Sequence, residues 1–476
     1  MTKPATASAA TVPLTAPARA GCTIHVWNPE DAQFWSATGR RVAQRNLWIS
    51  IPALFLSFAV WMVWSVVVVR LPEIGFRFTT DQLFWLAALP GLSGATLRIF
   101  YSFMVPIFGG RIWTVLSTAS LLVPALGMGY AVQDPATSYP TMLVLALLCG
   151  LGGGNFASSM ANITFFFPRE QKGTALGLNA GLGNLGVSAM QFFVPIAMTT
   201  AVFGALGGSP QPAARGGQLW LQNAGFLWVP FILVCTVAAW FGMNDLASAK
   251  ASFRDQAIIF RRKHNWLMCW LYIGTFGSFI GYSAGLPLLI KSQFPGIDPI
   301  RYAFLGPLVG ALVRPVGGWL SDKIGGARVT LWNFLVMAFA AGGVILFLPK
   351  GGAGGSFAGF LASFLVLFLT SGVGNGSTFR MIPVIFTSFH DRLVAGRGPA
   401  EREQARKNGT KESAAVIGFS SAVAAYGAFF IPRAFGASMT ATGSPAPALL
   451  GFIAMYVSCL AVTWWFYARR GAEMPS

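Results

Sequence analysis

Gly94-Ala-Thr-Leu-Arg98 returns 216 residues later as Gly310-Ala-Leu-Val-Arg314, and in both places a Gly-Gly pair (Gly109-Gly110, Gly325-Gly326) stands eleven residues beyond the arginine. Gly152-Gly-Gly154-Asn155 is matched by Gly372-Val-Gly374-Asn375 at an offset of 220. Phe192-Phe-Val-Pro195 is matched by Phe429-Phe-Ile-Pro432 at an offset of 237. Chance could supply one such match; three in the same order indicate a duplicated unit.

The unit is built from membrane helices. Apolar residues make up 54% of the chain and charged residues 10%, against roughly 25% charged in soluble domains. The apolar residues fall in blocks of about 20 or more, the length a helix needs to cross a bilayer. Twelve spans are predicted, near 46–69, 82–107, 112–132, 140–167, 173–204, 219–243, 265–290, 300–320, 328–349, 356–386, 411–437 and 446–468. The predicted fold is all-α integral membrane, with twelve transmembrane helices in two six-helix pseudo-repeats. Parallel six-helix halves are the arrangement of the major facilitator superfamily, which the chain resembles. The expected divisions are a cytoplasmic N-terminal segment 1–45, a bundle 46–245, a linker 246–264, a second bundle 265–470 and a tail 471–476. Residues 1–20, rich in Ala, Thr and Pro, are expected to be disordered. They lack the compact apolar region of a cleavable signal peptide.

A net charge of +18 suggests a nucleic-acid partner until its placement is read. The loop after the sixth span carries Lys250, Arg254, Arg261, Arg262 and Lys263, and the loop after the tenth carries Arg392, Arg397, Arg402, Arg406 and Lys407. Loops on the other face hold isolated charges such as Lys291 and Lys350. That is the positive-inside pattern, which places both termini in the cytoplasm and removes the argument for nucleic acid. The five cysteines (Cys22, Cys149, Cys235, Cys269, Cys459) form no CxxC or Cys/His cluster, so neither a metal nor a disulfide framework is implied, and no cofactor is expected.

Arg98 lies 17 residues past Asp81 and 13 before Arg111, too deep to reach either surface easily. Arg314 lies 13 past Arg301 and 8 before Asp322. A charge at that depth is costly and marks a functional site by default. The plain alternative is neutralisation by a carboxylate on a neighbouring helix. All acidic residues lie in loops, tails or span ends, Glu412 at the start of the eleventh span being the nearest exception. Two uncompensated guanidiniums at equivalent repeat positions therefore call for an anion, held by forked hydrogen bonds. Glycines such as Gly152, Gly154, Gly183, Gly372 and Gly374 suit close helix packing. Asn155, Asn162, Asn179, Asn184 and Asn375 are expected to face the bundle interior, because an amide in lipid needs a partner. Periodicity does not single out pathway aromatics in a chain that is 14% aromatic.

Gly154-Asn-Phe-Ala-Ser-Ser-Met-Ala-Asn-Ile163, Phe165-Phe-Phe-Pro168, Ala175-Leu-Gly-Leu-Asn-Ala-Gly-Leu-Gly-Asn-Leu-Gly-Val-Ser188 and Ser371-Gly-Val-Gly-Asn-Gly-Ser-Thr-Phe379 resemble the signature motifs of the nitrate/nitrite porter family, most of all its bacterial NarK-type antiporters. The likeness runs from about residue 26 to 470. It implies that Arg98 and Arg314 clamp the anion, with Asn184, Tyr272, Phe276, Phe156 and Phe58 completing the substrate site. Gly317-Gly-Trp-Leu-Ser-Asp322 resembles the superfamily's gating signature, whereas the first-half copy at Phe108-Gly-Gly-Arg111 lacks the aspartate. Gly152, Gly154, Asn155, Gly183, Gly372, Gly374, Asn375 and Asp322 are the implied packing and gating set. Ala180 stands where many members have Gly.

Planar guanidinium forks and flat aromatic faces suit nitrate and nitrite, which are small, planar and singly charged. No span places an Asp, Glu or His in the pathway, and an empty site leaves two arginines repelling each other in low dielectric. The expectation is obligate exchange of external nitrate for internal nitrite, with a proton-coupled nitrate symporter as the alternative. No nucleophile–base pair or ligand set implies an enzyme. The expected setting is the lipid bilayer of a bacterial inner (plasma) membrane, and no feature asks for more than a monomer.

Overall fold

The computed structural model describes residues 20–214, 216–247, 257–349 and 354–476. The expected disorder of 1–19, Lys250 and Arg254 of the linker, and Lys350 lie outside the described residues. Among the described residues twelve helices are long and apolar enough to cross a membrane: α1 (Ala32–Ile74), α2 (Thr80–Tyr101), α3 (Gly110–Ala131), α4 (Tyr139–Phe166), α5 (Glu170–Ala197), α6 (Asn223–Gly242), α7 (Lys263–Gln293), α8 (Ile300–Ile324), α9 (Gly326–Phe347), α10 (Phe357–Leu393), α11 (Pro399–Thr442) and α12 (Ala446–Ala468). The count agrees with the sequence reading. Helix is the form that lets a chain satisfy every backbone group within lipid.

Ends differ more than centres. The approach segment before residue 46 is already helical, so α1 begins at Ala32, capped by the Asp31 side chain on the amides of Gln33 and Phe34. α10 and α11 run on to Leu393 and from Pro399, past the apolar blocks that predicted them. Polar helix beyond a span is stable where it packs, and Ala405, Gly409 and Glu412 are buried.

The repeated Gly-Gly pairs have a local cause. Gly109 and Gly325 cap α3 and α9 with φ of 89° and 93°, which favours glycine. The following glycines allow close contact: a Cβ on Gly110 would strike the Asn162 side chain, and one on Gly326 would lie 2.6 Å from Met381 Cγ. The aspartate missing from the first of these turns is supplied from elsewhere. Asp245, just past α6, accepts hydrogen bonds from the Arg111 amide at 2.8 Å and from Arg111 Nε at 3.1 Å. In the later turn Asp322 pairs with Arg380 of α10 at 2.5 Å.

Helices cross closely where glycines stand. A Cβ on Gly152 would collide with the Ser57 carbonyl of α1, and one on Gly372 with the Gly310 carbonyl of α8. A Cβ on Gly154 would lie 2.7 Å from the Tyr101 ring, one on Gly183 2.7 Å from the Leu54 side chain, and one on Gly374 against the side chains of Asn333 and Thr275. Asn155 donates to Ser57 Oγ at 2.7 Å. Asn155, Asn162, Asn179, Asn184 and Asn375 are all buried.

At the end of the molecule away from the termini, side chains of α1–α6 meet those of α7–α12. Arg70 pairs with Asp298 at 2.9 Å, Arg433 with Asp81 at 2.7 Å, and Lys291 with Glu73. Gln191 of α5 donates to the Ser283 carbonyl of α7 at 2.8 Å. At the other end Arg262 with Glu412, and Lys263 with Glu473, link residues within α7–α12 and its tail.

Candidate functional site

Arg98, in the last turn of α2, is fully buried, and its three nitrogens have three fates. Nε donates to the Gly153 carbonyl of α4 at 2.9 Å, and Nη1 to the Ser421 carbonyl of α11 at 3.2 Å. Nη2 has no partner. The guanidinium carbon lies 4.9 Å from the ring centre of Phe156, 5.2 Å from Trp61 and 5.5 Å from Phe276. Aromatic faces stabilise a cation without supplying a counter-ion, so the positive charge remains available.

Arg314, 7% exposed, is held more lightly. Its Nη2 donates to the Tyr272 hydroxyl at 3.4 Å, its carbon lies 5.4 Å over Phe379, and Nη1 has no partner. Both guanidiniums are within electrostatic reach of the Tyr272 phenol and of each other. Among the described residues neither has a carboxylate partner within 4 Å. A buried cation without a counter-charge is expensive to keep. The unpartnered Nη group on each arginine is what an anion would satisfy.

The aromatic frame comes from α1, α4 and α7. Tyr272 and Phe276 of α7 stack at 5.6 Å and 19°, and Phe276 stacks on Phe156 of α4 at 6.3 Å and 25°. Phe58 packs on Phe156 at 6.1 Å and on Trp61 at 5.7 Å. Phe276 sits in a π-helical turn, Ile273–Gly277, a wider coil that re-aims side chains and recurs at functional sites. Asn184 is 1% exposed, and neither of its amide atoms has a partner. It lies where α5 crosses α1, with Gly183 against Leu54 and Gly186 against the Phe55 carbonyl, one turn from Phe58.

Trp61, Phe379 and the Ser421 carbonyl are contacts that sequence reasoning missed. Trp61 fits because Gly94 and Gly153 leave room for its indole, which donates to the Pro90 carbonyl at 2.6 Å. The small residues beside Arg98 were visible in sequence; which aromatic they admit was not. Asp322 lies far from this group, in the turn already described.

Residues 53–398 match the sequence profile of the Major Facilitator Superfamily. The chain is 53% identical over 444 residues to the nitrate/nitrite transporter NarU of Escherichia coli (strain K12), covering 93% of this chain and 96% of that one. It belongs to the nitrate/nitrite porter family of that superfamily. Within the porter family it is also similar to the probable nitrate/nitrite antiporter NarK2 of Thermus thermophilus, with 44% identity over 96% of this chain and 98% of the relative. The nitrite extrusion protein of Bacillus subtilis (strain 168) is 25% identical over 90% of this chain and 96% of its own. With twelve spans and this kinship, the porter is a multi-pass protein of a bacterial inner membrane.

Proposed function

We propose that this porter exchanges external nitrate for internal nitrite, the anion being clamped between Arg98 and Arg314. The observation that carries the reading is the pair of buried guanidiniums, each with one donor unpartnered and no carboxylate at hand. Charge-assisted, forked hydrogen bonds from both sides suit a planar monovalent oxyanion. Phe156 and Phe276 supply flat walls, and Asn184 adds a neutral donor. The names of the relatives, nitrate/nitrite transporter and antiporter, support the substrate and the exchange. The same names, transporter and antiporter, support reading the porter as a carrier.

The mechanism follows from charge. With the site empty, two cations face each other across a low-dielectric gap; one anion relieves that repulsion. The loaded carrier therefore reorients more readily than the empty one, with bundles 46–245 and 265–470 rocking about the site. The ion pairs of Arg70, Lys291 and Arg433 join the bundles at one face. Toward the other face Gly173, Gly177 and Gly181 of α5, with Gly318 and Gly418, look onto open space. With both termini placed in the cytoplasm as the charge pattern suggests, we read this as an inward-facing arrangement.

Counterflow in proteoliposomes tests the proposal. Labelled nitrate is expected to enter only vesicles loaded with nitrite or nitrate, at a rate independent of an imposed pH gradient. Uptake into anion-free vesicles that follows the pH gradient would establish the proton symporter instead. A smaller effect is expected at Tyr272. Tyr272→Phe removes the hydroxyl that accepts from Arg314, and the apparent KM for nitrate is expected to rise about tenfold, the equivalent of one hydrogen bond of about 1.4 kcal/mol. An unchanged KM in initial-rate measurements would place the hydroxyl outside the site.

A further inference from the structure

Six charged side chains lie along the seam where the two bundles close on the outer face, and their charge is divided unevenly between the bundles. Four form one network (Arg70, Glu73, Lys291, Asp298) and two a separate pair (Arg433, Asp81). The first bundle contributes Arg70, Glu73 and Asp81; the second contributes Lys291, Asp298 and Arg433. Among the described residues three ion pairs cross the seam here: Arg70 to Asp298, Lys291 to Glu73, and Arg433 to Asp81, with Lys291 also donating to the Val69 carbonyl at 3.2 Å. Rocking the bundles apart at this face breaks all three together. Arg70 keeps Glu73, which it meets on its own helix at 2.8 Å. Among the described residues Lys291 and Arg433 keep no carboxylate, because those they lose stay on the first bundle. The opened second wall then carries two cations against the single carboxylate of Asp298, and the opened first wall carries the opposite excess.

Arg433 is also placed to act early on an arriving anion. Its guanidinium lies 4.0 Å over Trp85, at the outer end of α2. It stands twelve residues beyond Ser421, whose carbonyl holds Arg98, or about 18 Å along the helix at 1.5 Å per residue. A mouth walled by low-dielectric helices focuses the field of such charges and raises the local concentration of counter-ions.

We infer that Lys291 and Arg433, once released from the seam, form an anion-capture site at the outer mouth for a small monovalent oxyanion. The cations that lock the closed face thus draw substrate into the open one, and the carboxylates Glu73 and Asp81 serve only as the lock. This inference rests on the exchange reading above.

The two roles predict opposite signs, which makes them separable. A seam that only locks treats both members of a pair alike: losing either favours the outward-open state and lowers the apparent KM for nitrate at the outer face. With a capture site, Glu73→Gln and Asp81→Asn still lower that KM. Lys291→Gln and Arg433→Gln instead raise it, by roughly tenfold at low ionic strength, and flatten its dependence on ionic strength. Lys291→Arg and Arg433→Lys keep the charge and are expected to stay near the wild type. The measurement is initial uptake of labelled nitrate by right-side-out vesicles preloaded with unlabelled nitrate. Exchange by inside-out vesicles shows that each variant is folded. Shifts of the same sign for both members of a pair, or no shift in any variant, would overturn the capture site. Wild-type vesicles that fail to take up nitrate would overturn the exchange reading itself.

Discussion

Replacing Arg98 or Arg314 by lysine is expected to reduce nitrate exchange by at least about 100-fold although the charge is kept. The fork explains the size of the effect. At Arg98 one nitrogen binds the Gly153 carbonyl, a second binds the Ser421 carbonyl, and only the third is free. A lysine has one nitrogen for all three tasks. Satisfying either carbonyl turns it away from the anion, and serving the anion leaves two buried carbonyls without that donor. Losing two charge-assisted hydrogen bonds of about 1.5 kcal/mol each is enough for a factor above 100. At Arg314 the same exchange removes either the Tyr272 contact or the free donor. Labelled-nitrate exchange per folded protein, with monodispersity as the control, is the measurement. Near-normal exchange by both variants would contradict the clamp.

Valine at Gly152 or Gly372 is expected to cost more than any site substitution except those two. The added Cβ would meet backbone rather than a movable side chain: the Ser57 carbonyl in the first case and the Gly310 carbonyl in the second. Interiors packed at crystal-like density absorb such intrusions by strain of about 1–3 kcal/mol, and by more where two backbones must part. Here α4 would be pushed from α1, and α10 from α8. In the first bundle that displaces Phe156 and the Gly153 carbonyl, both in contact with Arg98. Lower yield, a thermal midpoint reduced by several degrees and lost exchange are expected together. Gly173→Val is the contrast, because nothing lies within 4 Å of a Cβ there. Equal thermal midpoints for Gly152→Val and Gly173→Val would refute the packing argument.

Much of the candidate site was legible because membrane burial makes charge conspicuous. Arg98 and Arg314 stand out in any reading that asks what pays for a cation in lipid. The aromatic set was harder. Phe58, Phe156, Tyr272 and Phe276 came from family likeness, while Trp61 and Phe379 were missed, since a chain that is 14% aromatic offers no periodicity to choose among them. Arg433 was passed over for a different reason. Its partner Asp81 lies 352 residues away, and each looks unremarkable near the end of its own span. Asp245 was equally hidden: the first-half turn lacks an aspartate in sequence, and only folding brings one from beyond α6 to Arg111.

Sequence by itself determined the number of spans, the depth of the two arginines and the want of a membrane carboxylate to answer them. These depend on hydropathy and on the cost of charge in lipid, which are properties of each segment alone. Tertiary structure decided which donor of each guanidinium stays free, which rings face Arg98, and which charges meet across the outer seam. Those depend on helices from opposite ends of the chain meeting at fixed heights. Their register is set by glycine-sized crossings and a π-helical turn, and no local pattern encodes it.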